Sequence, residues 1–302
     1  MRRARRALLV LLSALLLPVL MLGAACSAPG STPAGGSGGA PVVTIGVVDA
    51  SENYWNVYKD KAAAKGITVQ FVNFTDYDQP NLGVSQGQLQ LNQCVHLQYL
   101  ANYNVKNNDT LVPIGATAVY PLPLYSVKHT SVDQIPRGGQ IAIPDDPTNE
   151  ARSLLVLQAA KLITLRGGGD SLSTTNDIDT AASKVTVLPV DAAQTAANLA
   201  SVDGAIVNNN YATAAKLGTD KRIFADDPNS DASKPYINVF VARAADKDNP
   251  TYRELVALYH DSDVEAAIRA DLGEDTIFKN NDAADLQAET TRIEDDIRKT
   301  GR

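Results

Sequence analysis

The densest chemistry in this chain is the run Asp145-Asp146-Pro147-Thr148-Asn149-Glu150-Ala151-Arg152-Ser153. An aspartate followed by proline is a strong helix start, because the carboxylate takes up free backbone N–H groups and proline suits the first helical position. Ala151, Leu154, Leu155, Ala159 and Leu162 then recur at helical spacing, so that face packs inward. Arg152 falls in or near the first turn, where the helix dipole disfavours a cation by a few tenths to about 1 kcal/mol. Two readings account for it. With the helix N-terminus, Arg152 can hold a carboxylate by a bidentate pair plus dipole. Alternatively, it salt-bridges Asp145, Asp146 or Glu150 and merely caps the helix.

Two further clusters carry polar or aromatic chemistry. Asn208, Asn209 and Asn210 follow an apolar strand, and Asn238 stands inside the apolar run Tyr236–Ala242. Asparagine is a poor strand residue, and a buried amide needs partners for both its donor and its acceptor. Asn238 therefore either orients a ligand's amino group or bonds a neighbouring loop. Tyr77, His96 and Tyr99, with Trp55 further back, line an apolar slot or simply pack in the core.

Signals for catalysis are weak. Gly35-Gly36-Ser37-Gly38-Gly39 matches a nucleophile elbow but lies in a Gly/Ser-rich stretch with no strand before it. Cys94 and His96 would share a face in a strand and diverge on a helix, and no third group orients them. His96, His129 and His260 do not have zinc-type spacing, and no Gly-rich phosphate loop with lysine occurs. No catalytic residue, metal site or cofactor is expected.

The elements that must position these groups alternate between short β-rich runs and helices. Strands are expected at Val42–Val48, Ile67–Val72, Leu111–Ile114, Val119–Tyr125, Ile141–Ile143, Val185–Leu188, Asp203–Val207 and Tyr236–Ala242. Helices are expected at Tyr54–Lys65, about Asn92–Asn104, from Pro147 to about Leu165, at Ala192–Leu199, and from Pro250 onward. This alternation predicts an α/β protein with parallel sheets covered on both faces and ligands beyond the carboxyl ends of strands. Two lobes are expected, residues 42–127 with 232–302 and residues 128–231.

The first forty residues concern location. Arg2, Arg3, Arg5 and Arg6 precede an apolar run from Ala7 to Leu22, then Gly23-Ala24-Ala25 and Cys26. This order reads as a secretory signal peptide over 1–25, and the run is shorter than the roughly 20 apolar residues of a membrane span. Residues 26–41 read as a Ser/Gly/Pro/Ala-rich tether. A cysteine at the cut resembles that of bacterial lipoproteins and makes Cys26 the expected lipidation site, although Leu22 stands four residues before it rather than three. The chain carries 27 Lys and Arg against 34 Asp and Glu, net −7, and losing the four leader arginines moves the balance to −11. Such an acidic exported domain is a poor nucleic-acid binder. With Cys94 the one cysteine left after Cys26, no disulfide framework is expected.

Several motifs occur in series from about residue 43. They are Phe74-Thr75-Asp76-Tyr77 with Pro80-Asn81, Gly87–Asn92 with His96 and Tyr99-Leu100, Val119-Tyr120-Pro121, and Tyr125-Ser126. They continue with Asp146-Pro147-Thr148-Asn149 and Arg152-Ser153-Leu154, Ile206-Val207-Asn208 with Tyr211-Ala212, and Pro235-Tyr236-Ile237-Asn238 with Val241-Ala242-Arg243. Together they resemble the methionine-binding lipoproteins of the NlpA type, the solute-capturing components of methionine ABC importers. The resemblance implies the hinged, two-lobed periplasmic-binding type II fold with a ligand enclosed between lobes. It implies Arg152 on the ligand carboxylate with Asn149 beside it, Asn208 and Asn238 on the ligand's other polar groups, and Tyr77, Cys94, His96 and Tyr99 around the pocket. It also implies a lipid anchor facing the extracytoplasmic side and permease and ATPase subunits as partners. Where the family usually has Phe-Gln-His, this chain has Cys94-Val95-His96, leaving space for Trp55 or a larger ligand. The ligand is thus methionine or a related small amino acid; an orphan or adhesin role with another ligand, such as a dipeptide, is the alternative.

Overall fold

A computed structural model describes residues 41–301 of the chain; the leader and Cys26 lie outside the described residues. The strands, in order, are β1 Val42–Val47, β2 Thr68–Asn73, β3 Leu91–His96, β4 Leu111–Ala116, β5 Ala118–Val119 and β6 Pro123–Tyr125. They continue with β7 Gln140–Pro144, β8 Thr186–Val190, β9 Gly204–Ile206, β10 Arg222–Ala225, β11 Asn238–Arg243 and β12 Ile277–Phe278. The helices are α1 Tyr54–Ala64, α2 Asp78–Ser85, α3 Leu97–Asn107, α4 Pro147–Ala159, α5 Thr195–Asn198, α6 Asn209–Ala214, α7 Pro250–Tyr259, α8 Ser262–Leu272 and α9 Ala283–Thr300.

Two five-stranded sheets organise the body, with orders β2-β1-β3-β11-β4 and β10-β6-β9-β7-β8. In each, four strands run one way and one runs against them: β11 pairs antiparallel with β3 and β4, and β6 pairs antiparallel with β9 and β10. Each reversed strand is the first one laid down after the chain has crossed from the other sheet. The crossings occupy residues 117–122 and 226–237, and β5, within the first of them, pairs with β12 in a small antiparallel ribbon. β6 pairs in the second sheet although the sequence pattern grouped residues 123–127 with the first lobe.

Helices cover both faces of each sheet, as parallel sheets require. One core lies between the first sheet and α1, α7 and α8, centred on Trp55, Tyr58, Phe240 and Tyr259. Another lies on its opposite face under α3 and α9. Gly115 shows how close the layers come, since a Cβ there would run into the Val256 side chain. The second sheet has its own pair of cores, the larger built on α4.

The structure corrects further points of the sequence reading. Residues 92–104 are a strand followed by a helix, β3 then α3. α2 and β10 have no counterpart in the sequence pattern. α4 stops at Ala159, two residues before Lys161 with its positive φ of 59°. Asn238 opens β11, while Tyr236 belongs to a preceding 3-10 turn.

Candidate functional site

Strand ends and helix starts converge on one cavity, about 680 Å³ of empty space including the solvent at its mouth. β1 delivers Asp49, β3 delivers Cys94 and His96, and the N-terminus of α3 adds Tyr99. The turn before α2 delivers Tyr77, α4 delivers Asn149 and Arg152, the start of α6 delivers Asn208 to Asn210, and β11 opens with Asn238. All eight ligand-binding candidates named from the sequence line this cavity: Tyr77, Cys94, His96, Tyr99, Asn149, Arg152, Asn208 and Asn238. Trp55 does not line it; it is buried in the core beside Tyr54, Tyr58 and Phe71.

α4 begins as its sequence dictates, with Asp146 capping the Asn149 N–H at 3.0 Å and Pro147 at the first helical position. Arg152 is the sixth helical residue, and long helical side chains lean back toward the N-terminus. Its guanidinium is buried, with the side chain 6% exposed. None of the three local acids takes it. Asp146 is occupied by Asn149 and Thr148, and Glu150 accepts from the Thr175 N–H. Instead Arg152 Nε donates to Asp226 Oδ2 at 2.9 Å, Nη2 donates to the Tyr120 carbonyl at 2.8 Å, and the group lies 4.4 Å over the Tyr236 ring. Nη1 has no hydrogen-bond partner among the described residues. Asp226 also accepts from the Leu122 N–H at 2.7 Å, so this one carboxylate ties Arg152 to both crossings between the sheets.

His96 is held as a neutral ring. Its Nδ1 caps α3 by accepting the Tyr99 N–H at 3.1 Å, which leaves the proton on Nε2, 3.4 Å from Asn149 Oδ1. Burial, reinforced by the nearby Arg152 charge, lowers its pKa to about 3. Asn149 is thereby fixed completely: its amide nitrogen donates to Asp146, and its oxygen also accepts from Asn208 Nδ2 at 3.1 Å. Asn208 Oδ1 is buried with no partner. Asn238 donates to the carbonyls of Ala118 and Tyr236 at 3.3 and 3.4 Å, and its oxygen has no partner among the described residues. The cavity thus offers a guanidinium and two acceptor oxygens, the complement of a carboxylate beside an ammonium.

The remaining wall is aromatic. Tyr77 and Tyr99 pack edge to face at 6.1 Å, and their hydroxyls turn to Asn210 and to Asp78 (2.6 Å for the latter). β3 being a strand, Cys94 and His96 do share a face. Burial nevertheless pushes the Cys94 thiol well up, and its Sγ lies 3.3 Å from Asn92 Oδ1, the opposite of an activated nucleophile. Sequence reasoning did not place Asp49, Tyr54, Gln93 or Tyr120 in the lining or Asp226 behind Arg152, and of the asparagine cluster it singled out it assigned only Asn208, not Asn209 or Asn210, to the ligand. Tyr120 and Asn210 sit within runs that the sequence singles out; Asp49 and Asp226 have no local signal.

Two sheets flanked by helices, joined by two crossings and enclosing a polar cavity at their strand ends, define a two-lobed solute-binding protein. The chain belongs to the NlpA lipoprotein family, whose sequence model matches residues 43–279. It is 36% identical over 226 residues to the probable D-methionine-binding lipoprotein MetQ of Haemophilus influenzae, covering 74% of this chain and 81% of the relative. Its fold resembles the substrate-binding protein of a methionine transporter from Streptococcus pneumoniae, with a TM-score of 0.73, 35% identity, and coverage of 79% of this chain and 95% of the other. It also resembles a nutrient-binding protein from Burkholderia cenocepacia bound to methionine, with a TM-score of 0.72, 32% identity, and coverage of 78% and 99%. Among the described residues no helix is long and apolar enough to cross a membrane.

Proposed function

We propose that this chain is an extracytoplasmic solute-binding lipoprotein that captures methionine or a related small α-amino acid and hands it to an ABC permease and its ATPase. Residues 1–25 act as the signal peptide, Cys26 carries the lipid, and the tether lets the body sample the membrane surface. The lobes exchange at residues 117–122 and 226–237 and close on the ligand, with no covalent chemistry. The observation that carries this reading is the buried Arg152 lining the same cavity as the unpartnered oxygens of Asn208 and Asn238. An α-carboxylate on Arg152 brings its ammonium, one carbon away, toward those oxygens. The D-methionine named for the Haemophilus influenzae relative and the methionine bound to the Burkholderia cenocepacia protein are zwitterions of that kind.

Titration calorimetry of the purified chain against an amino-acid panel, with mass spectrometry of small molecules released from natively purified protein, tests this. One-to-one saturable binding of at least one α-amino acid is expected. A panel of amino acids and dipeptides that gives neither heat nor a thermal shift overturns it.

A further inference from the structure

The cavity is lined by two formally charged side chains, Arg152 and Asp49, and they are balanced differently. Arg152 has Asp226 behind it. Asp49, just beyond β1, has no ion-pair partner among the described residues. Its oxygens accept the Tyr54 hydroxyl at 2.8 Å and the Trp55 indole N–H at 2.9 Å. An indole N–H only donates, so Oδ1 is held as an acceptor. Burial raises the carboxyl's pKa, and Asp271 nearby adds to the rise. An anion shielded from water and satisfied only by neutral donors is stabilised by any cation brought to it.

Its place along the wall says which part of a ligand would bring that cation. Tyr120 links the two charges: its carbonyl accepts Arg152 Nη2, while its phenol meets the hydroxyl of Tyr259, whose ring packs 6.3 Å from that of Trp55, the indole donor to Asp49. With the α-carboxylate on Arg152 and the α-ammonium taken by the unpartnered oxygens of Asn208 and Asn238, Asp49 is left for the side chain. We propose that Asp49 is the specificity-determining residue for the ligand's tail, and that the preferred ligand is an α-amino acid whose side chain ends in a cationic nitrogen. This rests on the amino-acid reading above and narrows it.

The test is calorimetric titration of the wild-type chain and of Asp49→Asn with L-ornithine, L-lysine, L-methionine and L-norleucine, the last matching ornithine in shape without its charge. Ornithine or lysine is expected to bind wild type at least tenfold more tightly than norleucine, and Asp49→Asn to bring the two classes within about twofold of each other. Wild type that binds methionine or norleucine as tightly as the cationic pair overturns the role of Asp49 and leaves amino-acid binding intact, and that outcome does not require the variant to fold. Failure of all four to bind removes the amino-acid reading, and this inference with it.

Discussion

The cavity wall contributed by the second sheet is a connected polar network that leaves Arg152 Nη1 and Asn208 Oδ1 without partners among the described residues, whereas the wall from the first sheet is mostly rings, a thiol and one carboxylate, with the amides of Gln93 and Asn238. On the second-sheet side Arg152, Asn149 and Asn208 form a connected set reaching Asp146, Asp226 and the neutral His96. On the other side Tyr77 and Tyr99 send their hydroxyls away to Asn210 and Asp78. The two kinds of wall discriminate differently. A site built to hydrogen-bond a polar group rejects a ligand lacking it by a factor on the order of 10⁴, while an apolar pocket separates ligands one methylene apart by only about 1–3 kcal/mol. One wall is therefore suited to a fixed amino-acid head, and the other can change its tail preference through few residues.

The sharpest way to break this contrast is to cut the head-binding wall at Arg152. Truncating one member of a buried hydrogen-bonded charge pair costs about 2–5 kcal/mol, so Arg152→Ala should weaken amino-acid binding at least about thirtyfold. The fold should survive, because Asp226 keeps the Leu122 N–H and its side chain is 24% exposed. Asp226→Asn, which leaves Arg152 present but less firmly aimed, should cost about tenfold. Calorimetry with a carboxylate ligand and with its amide separates the roles: wild type should prefer the acid, and Arg152→Ala should bind both alike. Unchanged affinity in Arg152→Ala would remove the basis for calling this the head-binding wall.

A smaller effect follows from His96 at the junction of the walls. Its folded pKa of about 3 lies below the unfolded value of about 6.5, so between those limits the unfolded chain binds the extra proton. Stability should therefore fall as pH drops below about 6.5, by at most about 1.4 kcal/mol per unit, which is about 2 kcal/mol by pH 5. The raised carboxyls of Asp49 and Asp146 push the opposite way on acidification, so the difference between wild type and His96→Gln isolates the histidine. Denaturant titrations at pH 7 and pH 5 should show a shallower loss in His96→Gln. Equal losses in the two proteins would mean that His96 takes up its proton in the folded state.

The same contrast explains what could be read from the sequence. The α4 start and the misplaced cation at Arg152 are local anomalies, visible as spacing within one run. The partner of that cation is 74 residues away across a crossing between sheets, and nothing local marks it. β3 reads as helix because it lies between β1 and β11, so no alternation shows, and its Asn92 and Gln93 are satisfied by Asn81 and Thr117. α2 is hidden because Pro80 and Gly83 depress helix propensity, although proline is tolerated in a first turn. Asp49 looks like an ordinary turn residue after a strand. Its significance comes from the lack of any ion-pairing cation beside it among the described residues, which only the fold reveals.

The mildest test concerns how the two halves are linked beside the cavity. One segment of the second lobe, from Asn209 to Arg222, makes most of these links. Asn209 donates to the Leu272 carbonyl at 3.0 Å, Tyr211 to the Thr75 carbonyl at 3.1 Å, Asn210 accepts from Tyr77, and Arg222 pairs with Asp275. The Arg222–Asp275 pair is partly exposed, at 24% and 40% for the two side chains, so screening limits its worth to about 0.5–1 kcal/mol. None of these atoms belongs to the set proposed to hold the carboxylate, so losing the pair should act on lobe closure rather than on the head contacts. Arg222→Ala should then release ligand about two- to fivefold faster in stopped-flow displacement, with little change in the association rate, and added salt should shrink the difference between variant and wild type. If the variant instead lost affinity through slower association, the pair would be acting before closure, and the two walls could not be treated as independent surfaces brought together by it.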